Sequence, residues 1–229
     1  FLGIDIGTGG TRSVIIDDNG AVIATATAAH APFASPQVGW AEQDPHDWWR
    51  AAVESIREVL KSHNAAEIKG IGLSGQMHGA TLLDKNDQVL RPALLWCDQR
   101  TEKQCRDLDR EIGRENLIRL VCNPAITGFT LPKLLWSREN EPEIWDQTTT
   151  VLLPKDYVRL RLSGDKATDV ADASGTLLFD VQKRNWSDEM FDRLGLNRSL
   201  VPKVYESIEV TGTVNKRAAA DTGLIEGTP

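Results

Sequence analysis

Scarcity narrows the field first. Only three cysteines occur, Cys97, Cys105 and Cys122, an odd number with no CxxC pair, which argues against a disulfide framework and a zinc knuckle. Thiols used so sparingly suit a reducing compartment, and a cytoplasmic protein is expected. The four histidines (His30, His46, His63 and His78) lie far apart, none at i, i+4 from another, so no metal cage of side-chain nitrogen and sulfur is expected. Positive charge is also short: 26 Lys and Arg stand against 33 Asp and Glu, a net charge of −7. Without a basic field to displace counterions, nucleic acid is not expected as a partner. No apolar run approaches the ~20 residues that span a bilayer, and no charged-then-apolar leader is seen, so a membrane is not expected either. What remains is 229 residues, 41% hydrophobic and 26% charged, enough for one large domain or two small ones with a sizeable core.

The opening reads as strands. Residues 2–7 and 13–17 are short apolar runs, and Asp18-Asn19-Gly20 signals a turn into Ala21–Ala26. Three strands joined by short turns make a meander, unlike a Rossmann opening, where a helix follows the first strand. Asp44-Pro45 starts a helix with Asp as N-cap, and Trp49, Val53, Ile56 and Leu60 form its apolar stripe. Ile68–Leu73 reads as a strand covered on both faces. Thr101 and Gln104 have capping-box spacing before a helix that runs to Gly113. Further helices are expected over Leu131–Asn140, Asp156–Leu162, Ser187–Leu194 and Lys216–Thr222, and strands over Val151–Leu153 and Glu209–Val214. The sum is an α/β fold, a mixed central sheet whose first three strands are antiparallel, flanked by helices.

Three segments could carry chemistry. Asp5-Ile-Gly-Thr-Gly-Gly-Thr-Arg12 places an acid at a strand end, then a turn whose glycines let backbone amides approach phosphate oxygens. Gly7 and Gly9 would shape it, Thr8, Thr11 and Arg12 would add donors, and Asp5 suits magnesium held through water. It is neither a Walker A loop nor GxGxxG, and an ordinary glycine-rich hairpin turn reads equally well. Ser74-Gly75-Gln76-Met77-His78-Gly79 brackets polar side chains with glycines, and Gln76 and His78 can both donate to and accept from sugar hydroxyls. A tight turn with a structural histidine is the alternative. Trp96, Asp98 and Arg100 could hold a polyol by stacking and hydrogen bonding, or be core and an ion pair. Asp156, Asp169 and Asp172 read best as solvated surface.

In this order, these segments resemble the opening of the FGGY carbohydrate kinases, and within them the xylulokinase branch. Gly75–Gly79 resembles that branch's sugar motif, Trp40–Pro45 and Leu90–Trp96 fit it, and Gly128–Trp136 is similar to the family's first signature, with Ser137 as a departure. The resemblance implies an actin-like, ribonuclease-H-like lobe using ATP and magnesium to phosphorylate a ketopentose, D-xylulose first. Ribulose or a polyol is the alternative within the family; a non-catalytic nucleotide-binding scaffold is the alternative outside it. Met77 and His78 would contact sugar, with Gln76, Trp96 and Asp98 as further candidates. Gly7, Thr8, Gly9, Thr11 and Arg12 would approach ATP phosphates, and Asp5 would assist through the metal. Residues 1–229 would form the N-terminal, sugar-binding domain. The main proton acceptor, an aspartate in a Gly-Asp segment, and a C-terminal lobe with the adenine pocket would lie beyond Pro229, leaving the fragment inactive. A homodimer is left open.

Overall fold

Alternating apolar and small residues give three strands in the computed structural model, which describes residues 1–229: β1 (Leu2–Ile6), β2 (Gly10–Ile16) and β3 (Val22–Ala29). They pair antiparallel in sequence order, with Asp5 opposite Arg12 and Arg12 opposite Thr27. Asp17 fixes the turn before β3, its Oδ1 accepting the amides of Asn19 and Ala21, each at 2.8 Å. A short strand, β4 (Glu42–Gln43), leads into helix α1 (Pro45–Leu60). Asp44 caps α1 by accepting the His46 amide at 2.9 Å, and Pro45 needs no amide partner in the first turn. The helix buries Trp48, Trp49, Ala52, Ile56 and Val59 in one core with Leu2, Ile4, Ile6 and Ile15 of the sheet. Strand β5 (Ile71–Gly75) then runs parallel to β1, giving the order β3-β2-β1-β5. This is the expected mixed sheet.

β5 departs from the doubly covered strand expected over Ile68–Leu73. It starts at Ile71, and Gly72 and Ser74 face outward, whereas Ile68 is buried ahead of the strand. The cause is that this face of the sheet is open: Asp5 of β1 and Arg12 of β2, in register with Ser74, are exposed on it too. β5 is also the edge strand, with no strand on its outer side. There the Ile71 amide donates to the Pro229 carbonyl at 2.8 Å, and a groove of about 500 Å³ lined by Ile71, Leu73, Val210 and Pro229 runs alongside.

The chain continues through β6 (Thr81–Leu83), β7 (Ala93–Leu94), α2 (Glu102–Glu111), α3 (Arg114–Val121), α4 (Thr130–Asn140), α5 (Pro142–Trp145) and β8 (Thr150–Leu152). Then come α6 (Pro154–Ser163), β9 (Ala167–Asp169), α7 (Val170–Ala173), β10 (Phe179–Asp180) and β11 (Asn185–Trp186). Helix α8 (Asp188–Leu194), β12 (Lys203–Tyr205) and α9 (Lys216–Thr222) complete it. Two apolar cores result. The first joins the sheet to α1, α6 and α9; the second gathers Leu108, Leu117, Leu131, Leu134, Phe179, Trp186 and Phe191 from the later helices and the β10–β11 hairpin. The antiparallel ribbon β6–β8 is the wall between them. Leu82 and Val151 belong to the second core, Leu83 and Leu152 to the first, because strand side chains alternate.

Two local expectations fail. Thr101 and Gln104 form no capping box: the Thr101 hydroxyl donates to the Thr127 carbonyl at 3.1 Å and Gln104 donates to Glu139 at 2.7 Å, so α2 begins without a side-chain cap. Glu209–Val214 is irregular, because Gly212 packs against Ser163 and Asp165 and no strand lies beside it; the strand of this region is β12, paired parallel to β9. No helix is long and apolar enough to cross a membrane.

Candidate functional site

The turn from β1 to β2 is glycine because backbone crowds it. A Cβ on Gly10 would lie 2.7 Å from the Ala28 carbonyl oxygen, and the Gly7 amide donates to the Gly10 carbonyl at 3.0 Å. On the sheet face turned away from α1, register lines up Thr27, Arg12, Asp5 and Ser74 across four strands. Ser74 Oγ donates to Asp5 Oδ1 at 2.7 Å and Arg12 Nε donates to Thr27 at 3.2 Å, leaving both charged groups exposed. Gly9 is exposed at the turn. Thr11 is a correction: it is fully buried and its hydroxyl bonds His30 Nε2 at 2.9 Å, since alternation along β2 turns it opposite to Arg12. Burial holds the His30 pKa below the usual imidazole value.

Thr8 joins this row to the second segment. Its hydroxyl donates to Gln76 Oε1 at 3.2 Å and accepts from the Trp96 indole at 3.0 Å; its carbonyl accepts from Gln43 Nε2 at 3.0 Å. Gln76 Nε2 in turn donates to Gln43 Oε1 at 3.2 Å. Gln76 is therefore buried and committed to protein partners, and it sets the turn instead of presenting an amide to sugar. Met77 and Trp96 are about half exposed, at 52% and 47%, and can form a rim. His78 takes a left-handed φ of 63°, and its ring packs on Phe129 with centroids 4.5 Å apart. Across the ring lies Gly175, where a Cβ would sit 2.6 Å from His78 Nδ1. Burial, with the Lys133 charge nearby, pushes the His78 pKa down to about 4, so the ring is neutral at neutral pH and Nδ1 is buried without a partner.

Asp98 is the second correction. It is fully buried, accepts the Ala41 amide at 2.7 Å and pairs with Arg100 at 2.8 Å, whose guanidinium stacks 3.6 Å from the Trp40 ring centroid. Arg100 also reaches Glu42, at 2.8 Å. Asp98 is the ion-pair residue of the two readings that the sequence left open, and it has no face toward a sugar.

The acids read as surface are also corrected. Lys155, at the start of α6, draws in Asp156 at 2.7 Å, Asp169 at 3.0 Å and Asp172 at 3.3 Å, and Asp156 is buried. Burial pushes the Asp156 and Asp172 carboxyls up; burial also acts on Asp169, but Lys155 and Ser207 bring it down. The three carboxylates outweigh burial at Lys155 and raise its pKa. The cluster abuts the Gly75–Gly79 turn, since Pro154 and the Lys155 stem pack on Gly79 and Gly75. Sequence reasoning also missed Lys133, a lone cation inside the apolar run Leu131–Leu135, now completely buried. A charge in an apolar helical stretch was the available signal.

The whole chain, residues 1–229, matches the model for the FGGY family of carbohydrate kinases, N-terminal domain. It is 42% identical to the xylulose kinase of Escherichia coli (strain K12) over 224 residues, covering 98% of this chain and 46% of that protein. To the xylulose kinase of Bacillus subtilis (strain 168) it is 40% identical over 229 residues, 99% of this chain and 46% of that protein. The chain thus spans about half the length of these curated relatives. Among solved structures it resembles a xylulose kinase from Rhodospirillum rubrum, with TM-score 0.94 and 28% identity, covering 100% of this chain and 47% of that one.

Proposed function

Since the chain belongs to the FGGY family of carbohydrate kinases, we propose that it is the N-terminal, sugar-binding domain of a kinase transferring the γ-phosphate of ATP to D-xylulose. The relatives supply the sugar and the family supplies ATP as co-substrate. The observation that carries the reading is Thr8, whose hydroxyl ties the Asp5–Arg12 row to Gln76 and Trp96 beside His78. Phosphoryl transfer needs both substrates held in line, and one hydroxyl here couples a phosphate-type loop to a polyol-type rim.

The division of labour follows from the side chains. Trp96 offers a half-exposed ring for the C–H face of a sugar, and neutral His78 offers a nitrogen that can accept or donate. Arg12, held through Nε by Thr27, exposes its guanidinium for anionic oxygens, and Gly9 is exposed in the same loop. Asp5 fits magnesium as a single carboxylate with one oxygen engaged by Ser74; no three His, Cys, Asp or Glu converge on a metal position, so phosphates and water would complete the shell. When bound, the metal would neutralise phosphate charge. The proton acceptor is assigned outside residues 1–229, in the half of the protein that the relatives have in addition. Asp98 is tied to Arg100, and Asp156, Asp169 and Asp172 to Lys155. The three free thiols suit a cytoplasmic setting.

A coupled ADP-release assay on the full-length protein tests this, with magnesium-ATP and D-xylulose, D-ribulose or glycerol in parallel. The highest kcat/KM is expected for D-xylulose, with the isolated chain far slower. Preference for another sugar reassigns the substrate; sugar binding by calorimetry without ADP release would leave a binding scaffold.

A further inference from the structure

The two segments assigned to the sugar come from different places, His78 from the turn after β5 and Trp96 from the loop after β7, and something must set their separation. The first turns of α4 meet both. Lys133 Nζ donates to the His78 carbonyl at 2.8 Å and to the Gly128 carbonyl at 2.7 Å, and Thr130 Oγ1 adds a bond to the same His78 carbonyl at 3.3 Å. Gly128 sits directly on the Trp96 segment: a Cβ there would be 2.6 Å from the Trp96 carbonyl oxygen. One ammonium therefore staples the backbone of one rim residue to the residue that packs on the other. His78 needs such a hold, because a non-glycine residue at φ 63° is strained and persists only where its surroundings fix it.

We propose that Lys133 is a positioning residue that fixes the spacing of His78 and Trp96 and thereby sets sugar affinity without touching the sugar. The inference rests on the sugar-binding reading above. Lys133 has no exposed surface, so direct contact with substrate is ruled out by its burial. Its ammonium faces Asp98, Cys97 and Arg100 as well as the neutral His78, and burial brings its pKa down to about 7. Protonated or not, the amine keeps two N–H groups for the two carbonyls.

The test compares wild type, Lys133→Met and Lys133→Gln as full-length proteins. Met fills the space without donors, whereas the Gln amide can reach one carbonyl. Lys133→Met is expected to raise the KM for D-xylulose roughly tenfold, the weight of one lost charge-assisted hydrogen bond, with the KM for ATP unchanged and Lys133→Gln intermediate. Equal shifts in both KM values, or a fall in kcat alone, would overturn the proposal. Should Lys133→Met fail to fold, Lys133→Gln decides, and a wild-type xylulose KM overturns it. A second reading is independent of turnover: the His78 imidazole and Trp96 indole NMR signals should both move in Lys133→Gln. If neither moves, the staple is wrong even where the enzyme is active. If both move in a protein that phosphorylates no sugar, the staple stands and the kinase reading falls.

Discussion

His78 combines a left-handed backbone, a ring packed on Phe129 and a lowered pKa. Its folded pKa of about 4 lies below the ordinary 6.5, so unfolding takes up a proton between those values. The stability this contributes is present above pH 6.5 and is lost as pH falls through about 4. A melting series from pH 7 to 4 should therefore fall less steeply for His78→Asn, whose side chain tolerates the left-handed backbone; a slope equal to wild type would show the imidazole is not buried as described. Gly175 makes a second test. In Gly175→Ala a methyl would occupy the space of the His78 ring, so ketose use should drop by about tenfold or more while ATP binding holds. Equal loss for both substrates would point to general misfolding. Residue types and spacing made His78 and Trp96 legible as candidates, and Met77 came only with the family resemblance. Types and spacing did not reveal that Thr11, Gln76 and Asp98 turn inward, because burial of a polar group depends on partners remote in sequence, such as His30, Gln43 and Ala41.

At the level of elements, helix α6 begins on a buried charge cluster. Its first turn carries Lys155 among three carboxylates, two of them pushed toward the neutral form by burial. Removing the cation in Lys155→Met should cost about 3–5 kcal/mol by denaturant titration near neutral pH, since it leaves buried charges uncompensated. Folded carboxyls raised above their unfolded values bind extra protons, so this loss should shrink as pH falls; a pH-independent loss would contradict the charge account. Elements with strong start signals were readable: Asp44-Pro45 opens α1 as expected, and the structure adds a left-handed Gly164 that ends α6 and a Ser187 cap on α8. Glu209–Val214 shows the limit. Its β-branched residues satisfy a strand propensity, but a strand needs a neighbour, and Val210 stands exposed without one.

The whole molecule is two cores with one wall. Leu82 and Leu83 face opposite sides of the same ribbon, so the two cores pack on one shared strand pair. Leu83→Ala should cost ~2–5 kcal/mol and move both cores together, read as equal shifts in hydrogen exchange for β1 and α8 amides. Separate shifts would mean two independent units. The meander and helix alternation announced the fold class, but the division into cores is invisible in one dimension, since β6 and β8 are far apart in sequence.

That wall also limits how the protein could be re-engineered. A graft that takes the second core from a relative would bring β6 and β8 with it. Leu83 and Leu152 would travel along and would have to refit a sheet they did not evolve against. Leaving the ribbon with its original sheet only moves the mismatch to Leu82 and Val151, so a chimera has to exchange both faces of the ribbon together with the residues they pack on.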